Sequence, residues 1–220
     1  RTHIGWPSFS GEKAMPEPEK KEAEKKPAGE EAKAGEKKGK KKEEENELSE
    51  EDAQLQKEME LLVTRAKDPV LELRKAALQN MVKEIRTATS SMTSVPKPLK
   101  FLRPHYGTLK ETYAAAKPDE TKTMLADVLS MLAMTTSEPG ARESLQFKLE
   151  GTPSDLASWG HEYVRHLAGE IGEEYNERLE DKAGAKKPAA DLMPLILEHM
   201  VPFFIEHNAE AEAIDLLSEA

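Results

Sequence analysis

From Leu55 onward apolar residues return every third or fourth position. That rhythm lines one face of an α-helix, whereas a strand needs alternation every second residue. Leu55, Met59, Leu62, Val63 and Ala66 form the first stripe, with Lys57, Glu58, Glu60 and Arg65 falling largely elsewhere around the cylinder. Ser49 followed by Glu50, Glu51 and Asp52 supplies an N-cap and first-turn acids that complement the helix dipole. Asp68-Pro69 ends this helix and caps the next, whose stripe is Val70, Leu73, Ala77, Leu78, Met81, Val82 and Ile85. The pair is predicted to form an antiparallel hairpin with a short connection.

Between Thr87 and Pro104 the rhythm breaks, because Ser and Thr favour turns and Pro96, Pro98 and Pro104 lack backbone donors. An ordered crossing loop is expected, clamped onto its neighbours by Met92, Val95, Leu99, Phe101 and Leu102. Pro104 then suits the first turn of a helix through Tyr106, Leu109 and Tyr113. Pro118-Asp119 opens the next helix, and Met124, Leu125, Val128, Leu129, Met131, Leu132 and Met134 make it apolar around much of its circumference, which predicts the central, most buried position. A short helix over Arg142 to Leu149 follows, then a longest one from about Pro153 to Asp181, with Leu156, Trp159, Tyr163, Leu167 and Ile171 on a shared side and a charged far end that protrudes. After an exposed break over Asp181 to Pro188 comes a helix kinked or ended by Pro202, and Asn208 is expected to cap the last one, which runs into Ala220.

The fold class that follows is all-α: antiparallel helical hairpins in an α-solenoid or bundle-like array, with no fixed sequence period. Residues 1–47 stand apart. From Gly11 to Glu47 nearly every residue is Lys, Glu, Ala, Gly or Pro. Such a segment cannot bury enough surface to offset roughly 1–2 kcal/mol of ordering cost per residue, so a disordered charged leader is expected before a helical domain over 48–220. The last apolar helix carries no polar cap at Ala220, and solenoids need one, so the natural protein is expected to continue.

Charge and composition remove several functions. The 220 residues carry a formal charge of -10. Phosphate binding needs a surplus of Lys and Arg on one surface, so no nucleic-acid partner is expected. The absence of cysteine excludes disulfides, thiol catalysis and cysteine-ligated metals. No apolar run approaches the roughly 20 residues that cross a bilayer, and the richest, Met200 to Ile205, contains Pro202. No membrane contact is expected, and a cytoplasmic and nuclear location is the default reading.

Few residues invite a chemical role. His161, Glu162 and His166 are close to the H-E-x-x-H zinc helix, but with one residue too many. Histidines four apart lie about 40 degrees apart on a helix, and five apart about 140 degrees, too far round to share a metal. One is expected to pack while the other meets solvent or a carboxylate. Trp159 and Tyr163 could stack a ligand or fill the core; Gly160 between them suits close approach of another helix. His199 and His207 have no further ligand at metal spacing. No phosphate-cradling glycine loop or G-x-S-x-G elbow is present. No catalytic residue, cofactor or metal ligand is therefore nominated. The remaining candidate is a basic-aromatic patch of Lys100, Arg103, His105 and Tyr106 beside Phe101, which either meets a partner or satisfies loop carbonyls and carboxylates.

Two stretches are unusual enough to carry a resemblance: SMTSVPKPLKFLRPHYG over Ser91 to Gly107, and LASWGHEYVRHLAGE over Leu156 to Glu170. Together with Leu48-Ser49-Glu50-Glu51-Asp52 and His207-Asn208-Ala209-Glu210, in that order, the chain from about Leu48 to Ala220 resembles the 26S proteasome non-ATPase regulatory subunit 2 family. The leader and the Ala183 to Pro188 spacer have no counterpart in that likeness. The resemblance implies a non-catalytic scaffold of the regulatory-particle base, acting in ubiquitin-dependent protein degradation. It also implies contacts with the coiled-coil extensions of the AAA-ATPase subunits, and with ubiquitin receptors and shuttle factors through a toroid of later repeats not contained in these residues. Two rivals from other classes are an independent α-solenoid peptide-binding adaptor and a metalloenzyme using His161, Glu162 and His166.

Overall fold

A computed structural model describes residues 49–89, 95–152, 156–181 and 184–220. The expected leader over 1–47, Met92 of the crossing loop and the expected helix start at Pro153 lie outside those residues. Leu48–Ala220 is one compact unit. Among the described residues there is no strand, and the chain is an all-helical array.

Helix α1 (Glu50–Arg65) begins where the sequence places its cap: the Ser49 hydroxyl accepts from the Asp52 amide at 3.2 Å. Met59, Leu62 and Val63 are its buried face. Asp68 closes the turn by accepting from the Val70 amide at 2.8 Å, and α2 (Leu71–Thr89) returns with Ala77, Leu78, Met81 and Ile85 buried. Arg74 then ties three segments together, donating to the Asp68 carbonyl, to the Thr121 hydroxyl and to the Asp119 carboxylate.

The crossing segment departs from expectation. Lys97–Leu102 forms a short helix, α3, capped by Pro96 and with Pro98 in its first turn. Proline there gives up an amide that no helix would use, so residues that argue against a helix interior instead open a helix. Leu99, Phe101 and Leu102 do clamp the segment, but Val95 is exposed. A 3-10 turn over Arg103–His105 leads into α4 (Tyr106–Ala115).

Helix α5 (Glu120–Thr136) is the hub. Asp119 caps it, accepting from the Lys122 amide at 3.0 Å, and its buried residues run from Leu125 through Ala133 on every side. It packs against α2, α4, α7 (His161–Glu180) and most extensively α6 (Glu143–Lys148).

Helix α7 starts later than the apolar spacing suggests. Leu156 leads into a separate 3-10 turn, Ala157–Trp159, and Gly160 at φ 91° and ψ 157° breaks the chain before His161. The stripe of Leu156, Trp159, Tyr163, Leu167 and Ile171 is nonetheless all buried.

Beyond a 3-10 turn at Ala189–Leu192, a π turn over Leu195–Met200 runs into α8 (Val201–Glu206). The wider π turn accommodates Pro202, which has no amide to donate and whose ring crowds the carbonyl four residues back. Asn208 is not the cap of α9 (Glu210–Glu219). It sits at φ 55° and terminates α8 instead: Ala209 donates to the Phe204 carbonyl at 2.8 Å and Asn208 to Ile205 at 3.3 Å. That pair of bonds is the Schellman arrangement, and asparagine tolerates its left-handed position better than most residues. No described helix is long and apolar enough to cross a membrane.

Candidate functional site

The basic-aromatic patch is laid out by α3 and the turn after it. With Leu99, Phe101 and Leu102 turned into the core, Lys100 is left exposed, and Arg103 follows one turn on. The Arg103 guanidinium reaches the last turn of α5, donating Nε–H to the Thr135 carbonyl at 3.1 Å and a second bond from Nη2. It thereby serves one of the carbonyls a helix end leaves unsatisfied. His105 is half-buried.

Tyr106 is buried, and its hydroxyl donates to Glu143 Oε2 at 2.5 Å. Lys110 pairs with the other oxygen of Glu143, and its ammonium lies 5.2 Å from the centroid of the Tyr106 ring. Burial, then the Glu143 hydrogen bond and charge, push the Tyr106 phenol far above its usual range, so it remains a neutral donor. The structure thus strings Lys100, Arg103, His105 and Tyr106 along α3, the 3-10 turn and the start of α4, and gives Tyr106 and Arg103 internal partners.

Burial pushes the Glu143 carboxyl up, but the Lys110 and Tyr106 hydrogen bonds and the Lys110 charge outweigh it and hold the group below its ordinary 4.5. A depressed carboxyl stabilises the fold above its unfolded value and loses that contribution as pH falls through the folded one. In a calorimetric series the wild-type melting temperature should fall as the pH drops below the ordinary glutamate range, with Glu143→Gln showing a shallower fall there. At pH 7 that variant should be destabilised by about 1–2 kcal/mol. Parallel curves for the two proteins would show that Glu143 contributes nothing there.

The two histidines of the zinc-like segment face different neighbours. His161 lies among Phe203, Phe204 and His207, with ring centroids 5.6, 6.0 and 6.2 Å away. His166 meets Glu170 at 3.0 Å and the Ser144 hydroxyl at 3.2 Å. One packs and the other finds a carboxylate, as i,i+5 spacing predicts. His207 stacks on Phe203 at 4.1 Å and its Nδ1 lies 2.8 Å from the Phe203 carbonyl. Among the described residues no cluster of three or more His, Cys, Asp or Glu is arranged for a metal. Trp159 and Tyr163 are both buried, with ring centroids 6.2 Å apart and the Arg86 guanidinium 4.6 Å over the indole. That enclosure is core packing, without a face for a ligand.

Residues 59–220 match the family described as RPN1 N-terminal domain. The chain belongs to that family. It is 55% identical over 170 residues to the 26S proteasome non-ATPase regulatory subunit 2 homolog A of Arabidopsis thaliana, covering 77% of this chain and 18% of the relative. Homolog B of the same plant is 56% identical over 166 residues, covering 76% and 18%. The 26S proteasome regulatory subunit rpn1 of Schizosaccharomyces pombe is 53% identical over 173 residues, covering 79% and 19%. The chain therefore spans less than a fifth of the length of these relatives. The Ser91–Gly107 and Leu156–Glu170 stretches pointed to the same family.

In this RPN1 N-terminal domain the most organised polar cluster is one that sequence reasoning missed. Asp127, in the apolar run of α5, is buried; its carboxylate accepts from the Thr152 amide at 3.0 Å and hydroxyl at 2.6 Å, with the Lys148 ammonium 3.7 Å away. Lys148, also buried, donates to the Thr152 carbonyl at 2.6 Å. Gly151 lies directly over the carboxylate, where a Cβ would collide with it. One turn on, the Ser130 hydroxyl bonds both the Ser144 carbonyl and the Tyr163 hydroxyl at 2.6 Å.

Glu170 of α7 completes the domain's inner polar layer by accepting from the Leu145 amide at 2.7 Å. It stands in for the side-chain cap that Arg142, at φ 52°, does not provide for α6. Arg142 is instead held by Glu174 and Glu177 of α7. The signal in the sequence is Asp127 itself, a lone acid within an apolar helical run, which is costly unless paired. The cluster is enclosed and its oxygens are engaged, so it fastens α5, α6 and α7 together rather than presenting a reagent.

Proposed function

We propose that this domain is a non-catalytic structural and regulatory part of the proteasome regulatory particle base, serving ubiquitin-dependent protein degradation in cytoplasm and nucleus. The observation that carries the reading is the match over residues 59–220 to a family whose similar members bear the names of 26S proteasome regulatory subunits. The site supports it: His161, Tyr163 and His166, among the side chains that suggested chemistry, are engaged in packing or internal hydrogen bonds. In this role residues 1–47 are a charged leader and 48–220 a helical platform. Its partners are the coiled-coil extensions of AAA-ATPase subunits, and ubiquitin receptors and shuttle factors held by further repeats of the longer protein. Helix-to-helix docking would use apolar stripes exposed between charged rims. The partner-contact patch is Lys100, Arg103, His105 and Tyr106, with Lys100 the exposed charge and Arg103 and Tyr106 held in place by Thr135 and Glu143.

Affinity capture of the native protein that carries this domain should bring down AAA-ATPase subunits in near-equal amounts. Their consistent absence, with one helical peptide ligand recovered instead, would replace this reading with the independent adaptor.

A further inference from the structure

Ser49 stands in a sequence context that no other hydroxyl of the chain shares. It is followed by Glu50, Glu51 and Asp52 and preceded by Glu47 and by Glu43, Glu44 and Glu45. No other serine or threonine of the 220 residues has more than one acid among its next three positions. Ser49 is also exposed, whereas Thr89, Thr121, Ser130 and Ser144 are buried.

The local structure can release this hydroxyl to an enzyme. Its cap bond from the Asp52 amide is 3.2 Å long, exposed, and belongs to the first turn of α1. Terminal turns open at the lowest free-energy cost in a helix. With that turn open, Glu50, Glu51 and Asp52 can lie along a groove as a short peptide while the rest of the domain stays folded.

Three successive acids after a serine are complementary to a groove lined with lysine and arginine. We infer that Ser49 is a phosphorylation site for an acid-directed protein kinase that uses ATP. Ser49 Oγ forms a bond to the γ-phosphorus, and the bond from that phosphorus to the β,γ-bridging oxygen breaks. ADP leaves with the electron pair, and the hydroxyl proton passes to the kinase's own base.

What the phosphate then meets is set by α3. Lys97 Nζ lies 2.7 Å from Asp52 Oδ1, and with 62% of its side chain exposed it is free to swing to a second anion. The Lys97 hydrogen bond above all, with its charge and that of Lys100 adding, outweighs desolvation and holds the Asp52 carboxyl below its ordinary 3.8. A phosphoserine brings about -1.5 to -2 charges at pH 7 into the same field. Glu50 and Glu51 repel it, but Lys97 can move toward it, so the phosphate ties the start of α1 more firmly to α3. The inference goes beyond the scaffold reading and does not rest on it: capture of ATPase subunits and phosphate transfer to Ser49 can each succeed while the other fails.

The test incubates the 220-residue chain with magnesium ATP and, in parallel, a purified serine kinase that requires acids after the serine and one that requires arginine before it. The acid-directed kinase should place phosphate on Ser49, located by fragmentation mass spectrometry, and the other should not. Ser49→Gly, which keeps most of the stability of the helix start, should remove the signal, and Ser49→Thr should retain it. Glu50→Gln with Asp52→Asn should lower kcat/KM at least about tenfold. An unmodified Ser49 after prolonged reaction, equal modification by the two kinases, or an unchanged rate for the double variant would overturn the inference. In the phosphorylated chain, amide exchange across the first turn of α1 should slow severalfold, and Lys97→Ala should cancel the slowing; equal exchange in the two forms would overturn the tie to α3.

Discussion

Asp127→Ala should be the most damaging single change outside the apolar core, lowering stability by about 3–5 kcal/mol. It removes three things together: the acceptor of the Thr152 amide, the acceptor of its hydroxyl, and a counter-charge to a buried ammonium. An exposed ion pair is worth little because water solvates the partner left behind, but here both side chains are nearly sealed, at 1% and 5% exposure. In thermal unfolding the loss should read as roughly 10 °C. Asp127→Asn keeps an acceptor while dropping the charge and should fall between wild type and alanine. Removing both charges, as Asp127→Leu with Lys148→Met, should recover part of the loss, because an apolar pair no longer strands an ion. If Asp127→Ala stayed within about 1 kcal/mol of wild type, the cluster would not be what fastens α6 to α5.

How much of this was legible depends on where each partner lies in the chain. The start of α1 could be read because its hydroxyl, its acids and its apolar stripe all lie within a few turns of one another. The central place of α5 followed from apolar residues around much of its circumference between Met124 and Met134. Helix α3 could not, since six residues between prolines are too few to display a period. Asn208 misled for a related reason: asparagine suits both a helix start and a left-handed helix end, and only the bond from Ala209 to Phe204 separates them. The patch from Lys100 to Tyr106 was visible as a group, but what occupies Arg103 and Tyr106 are Thr135 and Glu143, more than thirty residues on. Linear spacing carries no information about that. The Asp127 cluster left one trace, an acid where burial forbids an unpaired one, and its partners were again outside any local window.

Gly160 concerns the same kind of blindness, and it yields the second large effect. The apolar spacing from Leu156 to Ile171 reads as one helix because a 3-10 turn followed by an α-helix keeps the buried residues three or four apart. Yet Gly160 has φ 91° and ψ 157°, a conformation essentially restricted to glycine. A Cβ there would also lie 2.9 Å from the Thr89 carbonyl oxygen at the end of α2, a backbone atom that cannot rotate away. Gly160→Leu therefore meets a backbone penalty and a steric one at once and should cost about 3 kcal/mol or more, lowering the melting temperature by roughly 10 °C. Even Gly160→Ala should lose most of that, because the Cβ alone creates both problems.

Gly169, inside α7 with nothing within 4 Å of a built Cβ, is the control. There alanine should stabilise by about 0.5–1 kcal/mol through its better helix propensity. Opposite signs at the two glycines would show that Gly160 is held by its backbone conformation and its approach to Thr89 together, because helix propensity alone would not make alanine costly there. An unchanged melting temperature for Gly160→Leu would mean that α7 can start at Leu156 as one continuous helix, and that the approach to Thr89 is not needed to hold it.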